Sequence, residues 1–218
     1  DTINGFTGAT GVTASVDQNN LTGGVQLTAA DGRNIVLSGG NAPETYGLSA
    51  DATYKGTYTL VSDDGSDITV GSTTGLSKEA AGLEIGTYSG SNSGVNGDAV
   101  AAAALATGDI TINGVSVGAS LAADDTASTA NKDQSAISKA AAINRVSEST
   151  GVTAIAQNTQ VTSAAVNATA VASLTINGVA ISDTAAAGTA GEKMANLITN
   201  INSKTAQTGI TAIVVDGD

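Results

Sequence analysis

The chain has no cysteine, no histidine and no tryptophan, and only one proline, one methionine and one phenylalanine among 218 residues. Without cysteine no disulfide can staple the fold, and no thiolate is available as a nucleophile. Without histidine the usual proton carrier at neutral pH is missing. Ser-His and Cys-His catalysis and Cys/His zinc sites are thereby excluded. No run of about 18 apolar residues occurs, and the Ala-rich stretch Ala99–Ala106 is far too short to cross a bilayer. No basic segment leads into an apolar core, so no signal peptide is legible.

Positive charge is also scarce. Eight Lys and Arg stand against twenty Asp and Glu, for a net charge of −12. The eight, Arg33, Lys55, Lys78, Lys132, Lys139, Arg145, Lys193 and Lys204, form no cluster that would neutralise phosphates. Nucleic acid and anionic membrane surfaces are therefore not expected partners. The acidic excess serves solubility. Aromatics make up 2% of the chain, so the core must be thin and aliphatic. Abundant Gly, Ser, Thr and Asn approach the composition of disordered chains. The plentiful β-branched residues and modest charge favour a folded one.

Internal repeats organise what is present. Residues 3–14 (INGFTGATGVTA), 143–154 (INRVSESTGVTA) and 201–212 (INSKTAQTGITA) align without a gap. Each has Ile-Asn, then Thr-Gly-[Val/Ile]-Thr-Ala at one offset. The glycines are Gly11, Gly151 and Gly209. A second element precedes two copies: Ile112-Asn113-Gly114 within ITINGV, and Ile176-Asn177-Gly178 within LTINGV. Asn-Gly between alternating apolar residues predicts a type I′ hairpin, because both turn positions need positive φ.

A helix is expected between hairpin and Ile-Asn. In the last copy Met194, Leu197, Ile198 and Ile201 make one apolar stripe, and Thr189-Ala-Gly-Glu192 fits a capping box. In the middle copy Ile137, Ala140, Ala141 and Ile143 make the stripe, with Asn131 and Gln134 as its expected cap. The basic residues on these helices, Lys139 and Lys193 among them, fall off the stripes and are expected in solvent. Gly151 and Gly209 supply left-handed stops, followed by returning strands at Val152–Ile155 and Ile210–Val215. The helices should lie near 131–150 and 190–207.

Residues 21–95 instead carry strand and turn signals, all four tyrosines and Pro43. Tyrosines there are expected to anchor a core. The run Gly90–Gly97 reads as a linker. The expected fold class is α+β: mostly antiparallel hairpins, two helices from hairpin-helix-strand repeats, and a β-rich subdomain. The expected division is 1–97, a β-rich subdomain beginning with a truncated repeat, and 98–218, two full repeats. Because the first copy lacks its hairpin, the chain reads as a piece excised from a larger protein.

The repeat resembles the Ile-Asn motif of bacterial flagellins, found in their variable outer domains. The matching residues are Ile112-Asn113-Gly114 with Ile143-Asn144 and Thr150–Ala154, and Ile176-Asn177-Gly178 with Ile201-Asn202 and Thr208–Ala212. Leu27–Val36 and Tyr54–Val70 also look like flagellin outer-domain sequence. The resemblance implies an extracellular filament protein whose variable middle projects into solvent. Other flagellin subunits would be its partners, through terminal helices that nothing here matches. No catalysis, cofactor or metal is expected, because the side chains that usually supply them are missing or scattered. Related motifs in hook-associated and filament-cap proteins keep a binding or adhesin-like domain, facing a glycan or host surface, as the alternative. An enzyme embedded in a filament protein would by resemblance carry metal-site histidines, which are absent. The isolated chain is expected to be monomeric.

Three acidic groups are candidate sites. Asp63-Asp64-Gly65-Ser66-Asp67 lacks the spacing and distal Glu of a calcium loop and reads as a hairpin turn. Asp124-Asp125 reads as a solvated loop pair, and Asp216-Gly217-Asp218 carries no site. Paired carboxylates for glycoside chemistry and a tyrosine face for sugars are the less favoured readings. No phosphate loop or dinucleotide fingerprint occurs. The sequons at Asn20 and Asn167 read as chance.

Overall fold

The structure is a computed structural model that describes residues 24–39, 52–89, 95–100, 103–163, 174–182 and 189–215. The first Ile-Asn copy, Pro43, Tyr46, both sequons and the final Asp-Gly-Asp lie outside the described residues.

In chain order the elements are β1 (Gly24–Ala29), β2 (Ile35–Ser38), β3 (Thr53–Tyr54), β4 (Tyr58–Ser62) and β5 (Ile68–Gly71). Helix α1 (Ser77–Ala81), β6 (Gly86–Tyr88) and β7 (Val95–Asn96) follow. The middle repeat comprises β8 (Thr111–Ile112), β9 (Val115–Ser116), α2 (Ala136–Asn144), α3 (Ser147–Thr150) and β10 (Val152–Ala156). After β11 (Thr159–Thr162) the last repeat comprises β12 (Leu174–Ile176), β13 (Val179–Ile181), α4 (Ala190–Ser203), α5 (Thr205–Thr208) and β14 (Thr211–Val215).

The class is α+β, with four antiparallel sheets ordered β11-β1-β14, β10-β4-β7, β13-β12-β2-β3 and β6-β5-β8-β9. Each repeat is hairpin, helix, strand. Asn113 and Gly114 sit at φ 49° and 81°, Asn177 and Gly178 at 50° and 80°. These are the paired positive values that a type I′ turn requires.

The returning strand of a repeat does not pair with its own hairpin. It pairs with a strand from far upstream. β10 lies on β4 with Ala154 opposite Leu60, and β14 lies on β1 with Ala212 opposite Leu27. The hairpins do likewise: Ile112 of β8 faces Val70 of β5, and Ile176 of β12 faces Leu37 of β2. The upstream strands are themselves a repeat. Leu27, Asp31, Gly32, Ile35 and Leu37 align with Leu60, Asp64, Gly65, Ile68 and Val70. Both copies are thus a strand-turn-strand arch completed, in the same register, by a hairpin-helix-strand module.

This pairing corrects the division at residue 97. Of the two compact units, one comprises Asp1–Thr28, Leu37–Ala52 and Val161–Asp218. The other comprises Ala29–Val36 and Thr53–Gln160. The β-rich stretch and the repeats interleave because each supplies the strands that the other lacks. Asp31-Gly32 and Asp64-Gly65 accordingly join strands of different sheets, so the expected hairpin at Asp64-Gly65 is a turn between sheets. Nor is 90–97 wholly a linker: Val95 and Asn96 form β7 against β4.

The core of the second unit is aliphatic, as expected. Leu60, Ile68, Val70, Ile110, Ile112 and Ile143 are buried together with the ring of Tyr58. Each aliphatic side chain contributes about 1.5–3 kcal/mol on burial. Tyr88 packs against the same cluster. In the first unit Leu27, Leu37, Ile176, Met194, Leu197, Ile198 and Ile201 are buried, so the α4 stripe faces inward as its periodicity requires. Thr189 and Glu192 form the expected capping box.

The middle helix departs from expectation. Its cap is Ser135, whose hydroxyl accepts from the Ser138 N–H, while Asn131 begins a preceding 3-10 turn. Ala140 and Ile143 are buried, but Ile137 and Ala141 are only half-buried. Lys139 is 0% exposed and Lys193 4%, against the expectation of solvent.

Candidate functional site

The residues singled out by the repeat converge on the loop between helix and returning strand. At the end of α2, Ile143 points into the core and Asn144 turns to β10. The Ala154 N–H donates to Asn144 Oδ1 at 2.7 Å, and Asn144 Nδ2 donates to the Ala154 carbonyl at 3.0 Å. In the last copy Ala212 donates to Asn202 Oδ1 at 2.8 Å, and Asn202 Nδ2 donates to the Ala212 carbonyl at 2.9 Å. One side-chain amide thus does what an adjacent peptide group would do in a sheet.

The turn asparagines hold the same loop from the other side. Asn113 Nδ2 donates to the Thr150 carbonyl at 2.9 Å, and Asn177 Nδ2 to the Thr208 carbonyl at 2.8 Å. Asn113 Oδ1 also accepts the Thr69 N–H of β5 at 2.8 Å. Thr150 and Thr208 then accept, at their hydroxyls, the N–H groups of Val152 and Ile210 at 3.2 and 3.1 Å. Gly151 and Gly209, at φ 64° and 72°, stop the short helices α3 and α5 between these bonds. Ile112, Ile143, Ile176 and Ile201 are each 0% exposed. The motif's isoleucines are therefore engaged in packing, and its asparagines and threonines in bonds to the repeat itself or to the upstream strands and turn.

A second polar cluster was not legible as such. Helix α1 ends in the interior, and its last carbonyls need donors. Lys139 Nζ donates to the Ala80 carbonyl, and the Tyr58 hydroxyl donates to the Ala81 carbonyl at 2.8 Å. Burial, with the charge of Lys55 adding to it, pushes the Lys139 ammonium down to about 8, against the pull of Asp133 and Asp109. Burial pushes the Tyr58 phenol above its ordinary range. The signal lay in the repeat alignment. Counting back from the motif asparagines Asn144 and Asn202, Lys139 stands where the other copy has Leu197, which is a core position.

The acidic groups behave as structure. Asp124 pairs with Arg145, and Asp125 is buried rather than solvated. Burial raises the Asp125 carboxyl, but hydrogen bonds from Ser128, Ser135 and the Ala127 N–H outweigh it and hold the group below the usual range. Asp64 Oδ1 accepts the Ser66 N–H at 2.9 Å and closes its turn. Asp63 accepts the Thr153 hydroxyl at 3.0 Å. Among the described residues no group of three or more His, Cys, Asp or Glu is placed to hold a metal ion. No helix among them is long and apolar enough to cross a membrane.

No protein-family profile, curated protein or solved structure matches the chain.

Proposed function

We propose that this chain is a structural module: the solvent-exposed outer region of a flagellin subunit in the bacterial flagellar filament. The observation that carries the reading is the in-register recurrence of Ile-Asn and Thr-Gly-[Val/Ile]-Thr-Ala at residues 3–14, 143–154 and 201–212, with its resemblance to the flagellin motif. The geometry of the two described copies is in keeping with it. Their asparagines, threonines and glycines are consumed in holding the chain's own backbone, which is the economy of a scaffold rather than of a binding or reacting site. On this reading the module decorates the filament and serves motility as a surface antigen, and assembly belongs to other parts of the polypeptide.

The experiment is immunogold labelling of filaments from the source organism, using antibody raised against this chain. Label along the whole filament is expected. Label at the filament tip alone would assign the chain to a cap protein, and label at the hook junction to a hook-associated protein. Absence from the flagellum would overturn the reading.

A further inference from the structure

We propose that Asn113 and Asn177 are latent deamidation sites. Hydrogen bonds hold their amides away from the reaction while the chain is folded, and their conversion in the unfolded chain blocks return to the native hairpins. The chemistry needs only water. The backbone nitrogen of Gly114 or Gly178 loses its proton and attacks Cγ of the preceding asparagine. A nitrogen–carbon bond forms, the Cγ–Nδ2 bond breaks, and ammonia leaves. Water then opens the cyclic imide to aspartate or isoaspartate. A following glycine favours this step because no Cβ hinders the approach.

Ring closure requires Cγ to swing onto the glycine nitrogen. The fold opposes that movement. Both backbones are fixed in type I′ turns. Asn113 is held at both ends of its amide, Nδ2 on the Thr150 carbonyl and Oδ1 under the Thr69 N–H. Asn177 is 4% exposed, with Nδ2 on the Thr208 carbonyl. The group that must depart is the one engaged.

After conversion the same site turns hostile. A carboxylate oxygen replaces Nδ2 and faces a carbonyl oxygen, which loses its donor. Isoaspartate also adds a backbone atom to a two-residue turn, and so shifts the register that puts Ile112 and Ile176 inside. Asn96-Gly97 provides an internal comparison. Asn96 is exposed, and its Oδ1 accepts the Thr59 hydroxyl at 2.6 Å. An aspartate there keeps its acceptor, so the aspartate product is harmless at that position.

The test uses the full chain, held at one mildly alkaline pH either folded or in guanidinium. Peptide mass spectrometry follows each Asn-Gly pair, and the guanidinium sample is then refolded and separated into native and non-native fractions. Conversion at Asn113 and Asn177 is expected to be at least about tenfold slower in the folded chain, because the departing Nδ2 of each is held in a hydrogen bond. The native fraction should be depleted of conversion at these two sites but not of aspartate at Asn96. Equal rates in folded and unfolded chain would overturn the proposal. So would equal conversion at Asn113 and Asn177 in native and non-native fractions.

Discussion

Asn144 bonds both backbone groups of Ala154, its Oδ1 2.7 Å from the amide nitrogen and its Nδ2 3.0 Å from the carbonyl. Ala154 stands opposite Leu60 in the β10–β4 ladder, and β10 is the outer strand of that sheet. The groups that Asn144 takes are therefore those turned away from β4, at an edge that would otherwise be open. Asn202 does the same for Ala212 on β14, also an outer strand. The motif asparagine is an edge cover as well as a loop clamp, and unpaired edges are what native sheets must guard.

Asn144→Ala and Asn202→Ala are each expected to cost about 1–3 kcal/mol, through two lost hydrogen bonds and two stranded backbone groups. Asn144→Asp should cost no less, because it retains the acceptor but sets an oxygen against the Ala154 carbonyl. Urea unfolding checks the magnitudes. Light scattering near the midpoint should also show more aggregation in the alanine variants. Stability equal to the parent would refute the clamp.

Two glycines separate the demand for space from the demand for positive φ. A Cβ on Gly56 would stand 2.6 Å from Thr159 Oγ1 and 3.2 Å from the carbonyl oxygens of Gln157 and Gly32. Gly56→Ala is expected to cost about 1–3 kcal/mol by overpacking. A Cβ on Gly114 would meet nothing within 4 Å, but its φ is 81°. Gly114→Ala should therefore cost about 1–2 kcal/mol by backbone strain alone. Gly114→Asn should recover part of that loss, whereas Gly56→Asn should not. Parallel thermal melts of the four variants decide this.

Stability should rise on the alkaline side and then fall. Lys139 titrates near 8 in the fold and near 10.5 when unfolded. Between those values the unfolded chain binds more protons, so stability grows with pH by up to roughly 3 kcal/mol. Tyr58 works the other way. Its phenol is raised in the fold, so above about pH 10 the unfolded chain ionises first and stability drops. A maximum near pH 10 is expected. Lys139→Leu, which copies Leu197, should abolish the rise while keeping the chain folded. Denaturation across pH 7–11 is the measurement, and a rise that survives in Lys139→Leu would contradict the assignment.

The chain alone is expected to sediment as a monomer. The large exposed apolar side chains among the described residues are Val61, Leu76, Ile85, Leu121 and Ile155. Of these, Val61 and Ile155 share the outward face of β4 and β10, where each stands opposite a threonine. Two such residues fall short of the contiguous patch that a stable interface needs. A concentration-independent oligomer at micromolar protein would show that this face, or residues outside those described, associates.

The sequence determined the local structure. Asn-Gly with flanking alternation set the hairpins, because few residues other than asparagine and glycine tolerate two successive positive φ values. The Met194–Ile201 stripe with its Thr189-Glu192 box set α4, and Gly151 and Gly209 set the helix stops. These signals act over a few residues and need no knowledge of what packs against them. The repeat spacing even marked which asparagines and threonines mattered, though not what they held. Only the tertiary structure decided the pairings. β10 and β14 have no local reason to choose β4 and β1 over their own hairpins. Their partners were set by which pairings put Leu60 and Leu27 opposite Ala154 and Ala212 and closed an aliphatic core. The tertiary structure also decided the fate of the charges. Lys139 and Asp125 look like surface residues in any window of sequence, yet both are buried. Lys139 meets the Ala80 carbonyl at the end of α1, and Asp125 meets the amides of its own loop, and both sets of partners came to hand only when the chain had folded.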